Sequence, residues 1–385
     1  MGTRPTLTID AAMVRALELA ARGPAYGPNP RVGAVLLGPA PRPSDSLPDA
    51  AAAGPVDASP RVVLAEGYHR GAGTAHAEAA ALAGARERGV DVRGATAVVT
   101  LEPCDHTGRT GPCAQALLAA GVAEVVYAVA DPNPVAAGGA ERLRAAGVRV
   151  TGGLREAEGE RLLGPWLVAV RRGSPYVTLK LASTLDGRVA APDGTSRWIT
   201  GPAAREHAHR VRAHVDAIVV GTGTVVTDDP SLTARTASTG DRAAGLADHQ
   251  PLRVVVGLRD LPPGARLAPG GPWTSDGGGR VLHLRTRDVH AALADLAARE
   301  VRHVLVEGGP GLATSFLAAG AVDELHAYLA PVLLGAGLGA VGDLGVTTLA
   351  GAPRFTTHDV RRLGEDVLVT ARPLPTHRST PEQES

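Results

Sequence analysis

Short apolar runs alternate with longer segments of helical periodicity along most of the chain, and this alternation is its main structural signal. Thr8 to Arg22 repeats its apolar residues at helical spacing, with Asp10 as the expected cap and Gly23 as the stop. Pro28 to Leu37 reads as a turn feeding a buried strand, and Val62 to Tyr68 as its return. Thr74 to Arg88 is a helix ended by Gly89. Ala95 to Leu101 is a strand whose end delivers Glu102-Pro103-Cys104. A helix from Cys113 to Ala120, a strand from Glu124 to Val129, a helix from Ala140 to Ala146 and a strand from Val148 to Thr151 complete the first half.

Residues 154–173, rich in Arg and Glu, read as a helical connector. The alternation then resumes, with strands from Tyr176 to Ala182, Asp216 to Val220, Arg253 to Val256, Arg280 to Leu284 and His303 to Val306. Helices are expected from Pro202 to Ala213 and from Asp288 to Arg299, and loops over 236–250 and 261–279. Glu324 to Ala330 and Phe355 to Ala371 read as antiparallel strands. The pattern predicts an α/β fold in two parts: a three-layer unit over 1–153 and a second α/β unit over 174–374, with ligands at the strand C-termini. Residues 38–60 carry Pro, Ala and Ser without periodicity and are expected to form a flexible insertion; 375–385 are expected to be a disordered tail.

Composition narrows the partners. A chain of 385 residues with 44% apolar content suits two or three globular domains. Lys+Arg and Asp+Glu balance at 39 each, so there is no basic field for a nucleic-acid backbone. No run approaches the ~18 apolar residues of a membrane span. The first ten residues are polar and no apolar leader follows, which reads as a cytoplasmic protein with reduced thiols. Lys180 is the single lysine, so arginine fills every generic cationic role.

Candidate chemistry concentrates in two places. Cys104 and Cys113 are the only cysteines, nine residues apart, and His76-Ala77-Glu78 lies upstream. One imidazole and two thiolates match a catalytic Zn²⁺ that keeps its fourth position open. A surface disulfide is disfavoured in a reducing compartment, and a structural zinc would want a fourth ligand. Glu78 can shuttle protons to such a site only if His76 opens its helix, because residues two apart do not share a helix face. This is the layout of zinc deaminases that act on nucleobases. In the second half, Glu307-Gly308-Gly309-Pro310-Gly311 is a glycine-rich turn between a strand and a helix, and Gly221 to Thr224 is another. Together they suggest a nucleotide site, although neither turn has the G-x-G-x-x-G pattern. Lys180 sits in an apolar strand, with Asp186 and Asp228 as possible partners or an edge position as the bland account. Ser196 to Thr200 offers donors and the Trp198 ring, which could equally be core.

At these residues the chain resembles the bifunctional deaminase–reductases of riboflavin biosynthesis. The matching stretches, in family order, are PNPRVGAV, HAEAAAL, TLEPCDHTGRTGPC, DPNP at 131–134, LKLASTLDGR, SRWITG, DDPSLTAR and VEGGPGLA. The resemblance implies a cytidine-deaminase-like N-terminal domain and a dihydrofolate-reductase-like C-terminal domain. It implies Zn²⁺ on His76, Cys104 and Cys113, with Glu78 as proton shuttle. It implies NADPH at Ala182, Trp198, Thr224, Asp228 and the turn Gly309, Pro310, Gly311, Leu312, Ala313, Thr314 and Ser315. Substrate contacts are implied at Asn29, Ser196, Arg212, Leu232, Arg235 and Glu307, with Lys180 acting on the sugar. The implied partners are small pyrimidine ribosyl phosphates, with neither nucleic acid nor membrane; a homo-oligomer is compatible with this reading. Three departures stand out: the 38–60 insertion where the family has a tight hairpin, Gly257-Leu258 where it often has an acidic–hydroxyl pair, and Gly201 after Thr200 where Ser is common.

Overall fold

The computed structural model describes residues 4–39, 58–106, 111–236, 245–268 and 279–374. Most of the 38–60 insertion and the whole 375–385 tail lie outside these residues. The chain divides between Gly173 and Ser174 into two units.

The first unit holds a six-stranded sheet of β1 (Thr6–Leu7), β2 (Gly33–Leu37), β3 (Arg61–Tyr68), β4 (Thr96–Leu101), β5 (Glu124–Val129) and β6 (Arg149–Thr151). The spatial order is β1-β3-β2-β4-β5-β6. β2 runs antiparallel to β3 and β4, whereas β4, β5 and β6 are parallel. Five helices flank it: α1 (Ile9–Ala20), α2 (Ala77–Glu87), α3 (Cys113–Ala119), α4 (Gly139–Ala145) and α5 (Glu156–Arg172). Two glycines open opposite faces of the sheet to them. A Cβ on Gly33 would lie 2.0 Å from the Ala16 carbonyl of α1, and one on Gly67 would lie 2.4 Å from the Ala77 carbonyl of α2. Since side chains on neighbouring strand positions alternate, α1 and α2 cover different faces, as the three-layer reading expects.

Two local expectations change. Thr8, not Asp10, caps α1: its hydroxyl accepts the Ala11 N–H at 3.1 Å. The Asp10 carboxylate instead takes both ends of the Arg155 guanidinium at 2.7 Å. The 154–173 helix is no mere connector, for Leu163 and Leu167 of α5 are buried in the first core.

The second unit holds β7 (Tyr176–Thr184), β8 (Arg188–Ala190), α6 (Pro202–Arg212), β9 (Ala217–Gly221), α7 (Thr222–Asp228), β10 (Leu252–Val256), β11 (Val281–Leu284), α8 (Val289–Ala298), β12 (His303–Val306), α9 (Pro310–Ala318), β13 (Glu324–Ala330), β14 (Leu338–Gly339), β15 (Phe355–Leu363) and β16 (Asp366–Pro373). Eight of these strands form one sheet in the order β11-β10-β9-β12-β7-β13-β16-β15. The run from β11 to β13 is parallel, and β16 runs antiparallel to both of its neighbours, β13 and β15. The stretch from Phe355 to Ala371, expected to be antiparallel, is a hairpin turned at Gly364, where φ is +67°. β7 is central, so Lys180 is not an edge residue. No helix among the described residues is long and apolar enough to cross a membrane.

Candidate active sites

In the first unit the three expected metal ligands arrive from three elements. His76 is the cap residue of α2, Cys104 follows the end of β4, and Cys113 opens α3. His76 Nδ1 lies 3.6 Å from Cys104 Sγ and 3.3 Å from Cys113 Sγ, and the Cys113 N–H donates to Cys104 Sγ at 3.5 Å. All three ligand atoms lie within 4.8 Å of one another, which suits a tetrahedral ion with bonds of ~2.0–2.3 Å. It is the one such cluster among the described residues. Both thiols are buried and free of disulfide. The Cys113 thiol and His76 beside it hold the Cys104 thiol well below its usual range, while Cys113, hydrogen-bonded to Cys104 and buried, is pushed upward.

Glu78 meets the constraint set by its spacing, because His76 opens the helix and Glu78 falls in the first turn. Only 4% of Glu78 is exposed, and burial lifts its carboxyl to about 7. A cavity of about 140 Å³ joins His76, Glu78 and Cys104 to Asn29, His69, Asp131 and Asn133. Asn29 is set by its surroundings. The Trp166 indole of α5 donates to the neighbouring Pro28 carbonyl at 2.9 Å. His69 Nδ1 donates to the Ala75 carbonyl at 3.0 Å, which leaves Nε2 to accept from the Asn29 amide at 3.0 Å. Burial lowers the His69 pKa, in keeping with this neutral tautomer.

In the second unit a cavity of about 840 Å³ brings together Lys180, Ala182, Ser196, Trp198, Arg212, Asp228, Leu232 and Arg235. Glu307 stands behind it. The Arg212 guanidinium donates to both Glu307 oxygens, at 2.6 and 2.8 Å, and Lys180 Nζ lies 3.7 Å away. Burial alone would raise the Glu307 carboxyl, but Arg212 and Lys180 outweigh it and hold it at about 2. Lys180 Nζ also lies 5.7 Å from the centre of the Tyr328 ring, and burial lowers its pKa. Neither acid expected beside Lys180 is its partner. Asp186 instead accepts from Thr184 and from the backbone at Leu334 and Gly335, and Asp228 joins the cavity wall. Trp198 is 70% exposed with Arg205 over its face at 4.6 Å, so it is not core.

Two family models match the chain. The RibD C-terminal domain covers residues 175–369, and the cytidine and deoxycytidylate deaminase zinc-binding region covers 7–129. The riboflavin biosynthesis protein RibD of Mycobacterium tuberculosis strain H37Rv is 44% identical over 373 residues, spanning 96% of this chain and 99% of that protein. The chain belongs to the RibD family. It is therefore a bifunctional riboflavin-biosynthesis enzyme, with a zinc-dependent deaminase unit and a reductase unit that uses NADPH. The RibD of Escherichia coli K12 is 39% identical, covering 92% of this chain and 96% of its own length. Among solved structures, Acinetobacter baumannii RibD superposes with a TM-score of 0.77 at 36% identity, covering 95% of this chain and 99% of that one. A deaminase/reductase from Thermotoga maritima does so at 0.75 and 32%, with the same coverage.

Not every expected cofactor position faces the reductase cavity. Thr224 and the turn from Gly309 to Ser315 sit at the starts of α7 and α9, after the neighbouring strands β9 and β12, where Gly309 N–H donates to Thr224 Oγ1 at 3.3 Å. Gly309, Gly311 and Ser315 are exposed there. Ala313 is not available to a ligand: its methyl is fully buried in the core and its N–H is spent on the Gly309 carbonyl at 3.2 Å. Gly221 to Thr224, expected as a glycine turn at a strand end, runs from the last residue of β9 into the first turn of α7. The departure at Gly257 has a local cause. Its φ is +138° and a Cβ would lie 2.7 Å from Thr222 Oγ1, so the acidic residue common in the family would not fit this backbone. Residues the sequence reading did not single out include His69, Glu102 and Asn133 in the first cavity and Tyr328 in the second. Asn133 and Glu102 carried a signal, as parts of the DPNP and TLEPCDHTGRTGPC stretches.

Proposed function

We propose that the first unit hydrolyses the amino group from 2,5-diamino-6-(5-phosphoribosylamino)pyrimidin-4-one. The second unit then reduces the ribosyl group of the product, 5-amino-6-(5-phosphoribosylamino)uracil, to ribityl. The observation that carries this reading is the cluster of His76, Cys104 and Cys113, with His76, Cys104 and Glu78 lining one cavity, in a chain matched over 96% of its length by a riboflavin-biosynthesis relative. The Thermotoga maritima relative bears the name of these two activities.

His76, Cys104 and Cys113 would hold the metal, and zinc bound there would supply a Lewis acid and an acidified water. Glu78 would take one proton from the attacking water and pass it to the ring nitrogen, then take the second from the hydroxyl added at the ring carbon and pass it to the amino group as the C–N bond breaks and ammonia leaves. Asn29, fixed through His69 and the Pro28 turn, orients the pyrimidine. In the reductase, Ala182, Trp198, Thr224, Asp228 and the exposed positions of the Gly309 turn would hold NADPH, which would supply the hydride. Ser196, Arg212, Leu232 and Arg235 bind the ribosyl phosphate, Glu307 orients Arg212, and Lys180 polarises the opening sugar. Free, closely spaced thiols support a reducing, cytoplasmic setting.

Mass spectrometry of products tests both steps. Without NADPH the diaminopyrimidinone should exchange an amino group for oxygen; with NADPH it should also gain two hydrogens. Unchanged substrate refutes the deaminase reading, and a product that stops at the uracil refutes the reductase reading.

A further inference from the structure

The first cavity has a wall with no metal ligand in it: the loop from the end of β5 to the start of α4, which presents Asp131 and Asn133. A loop of this kind is free to move unless its backbone groups are tied down. Its ties converge on the segment that carries Cys104. The ladder between β4 and β5 runs one residue beyond the strands, with Glu102 N–H donating to the Val129 carbonyl at 2.8 Å. This sets the Glu102 side chain under the loop. Glu102 is 9% exposed, and its two carboxylate oxygens take different ends of the loop: Oε2 accepts the Asp131 N–H at 3.3 Å, and Oε1 accepts the Ala140 N–H at 3.0 Å. The middle is held by Asp105 N–H on the Ala136 carbonyl at 2.9 Å. The far end fits because residue 139 is glycine; a Cβ there would lie 1.7 Å from the Pro103 carbonyl.

We infer that Glu102 is a positioning residue for deamination, a double-ended staple that fixes the Asp131–Asn133 wall against the metal-bearing segment and so sets how tightly the pyrimidine ribosyl phosphate is held. The inference rests on the deaminase reading above. A carboxylate suits the position because it accepts at both oxygens, whereas an amide of the same shape accepts at one and donates at the other. Glu102→Gln therefore keeps the volume and sets an N–H₂ against one loop N–H, releasing one end of the loop. The metal ligands and Glu78 stay in place, so binding suffers and chemistry does not.

The test compares the full-length parent, Glu102→Gln, Asn133→Ala and the double variant, with zinc content measured for each. Glu102→Gln should keep one zinc per chain and raise the deaminase KM about tenfold or more, a typical effect of a supporting residue. Its kcat should stay within about threefold of the parent. Amide exchange at Asp131 or Ala140 should quicken. In the Asn133→Ala background the same substitution should change KM much less, because both act through one wall. An unchanged KM, additive effects in the double variant, or a loss of kcat with loss of zinc overturns the assignment. Should Glu102→Gln fail to fold, Glu102→Asp, too short to reach both N–H groups, takes its place with the same criteria. A parent that leaves the substrate unchanged sinks the deaminase reading itself, whereas an active parent with an indifferent variant sinks only the staple.

Discussion

Arg212 and Glu307 are 95 residues apart in sequence and meet as a two-pronged pair, with the guanidinium nitrogens 2.6 and 2.8 Å from the two carboxylate oxygens. The pair joins the last turn of α6 to the residue after β12, beneath the reductase cavity. Only 5% of the Glu307 side chain is exposed, so the carboxylate depends on its cationic partners. Breaking such a pair leaves a buried charge uncompensated.

Arg212→Met should therefore destabilise the second unit by about 3 kcal/mol, the usual cost of removing one partner of a buried pair. Denaturant unfolding of the full chain reads this out. A change below about 1 kcal/mol would mean that Lys180 alone satisfies Glu307.

Lys180 gives a sharper expectation. Its ammonium lies between Glu307 and the Tyr328 ring, in a chain that otherwise uses arginine. A guanidinium is planar and bulkier than an ammonium, and Arg212 already occupies both oxygens of Glu307. Lys180→Arg should fold, bind NADPH and lose most reduction while deamination continues. Reduction at close to the parent rate would show that any cation serves at this position.

These pairings mark the limit of what the chain alone discloses. The metal trio was legible because its chemistry is local: two cysteines in one element and His76-Ala77-Glu78 at a helix start. The strand and helix order was legible for the same reason, since periodicity is a local property. The partner of Lys180 was not, because Glu307 reaches it only through the pairing of β7 with β12. Glu102 and Tyr328 were missed likewise, since each gains its role from backbone or rings brought up by other strands. Ala313 erred in the other direction: it lies in a motif that resembles a nucleotide turn, yet the helix rotates it into the core.

Glu78→Gln isolates proton transfer from metal binding. The amide keeps the shape of a buried side chain but cannot take a proton, and it is not one of the three clustered ligands. Zinc content and reduction of the deaminated substrate should be retained, with deamination falling by at least ~10². Near-parent deamination would assign the proton to another group.

Acid should weaken the second unit through His303. The ring opens β12, where its Nε2 lies 2.9 Å from Thr178 Oγ1 and its edge meets the Tyr176 ring at 5.4 Å between centres. Burial pushes its pKa down from 6.5 to about 4, despite the opposing pull of Glu324. The unfolded chain therefore binds a proton more readily than the fold does. The stability at stake is fully present above pH 6.5 and drains away as pH falls from 6.5 towards 4. His207, which bonds the Tyr328 hydroxyl at 2.8 Å and is also held at about 4 by burial, adds to the same slope. By about pH 5 His303 alone should cost on the order of 1–2 kcal/mol. Urea unfolding of the parent and of His303→Gln at about pH 7 and pH 5 separates its share, because the glutamine amide can still bond Thr178 but does not titrate. The variant should lose clearly less stability than the parent between the two values. Equal losses would place the acid sensitivity elsewhere in the chain.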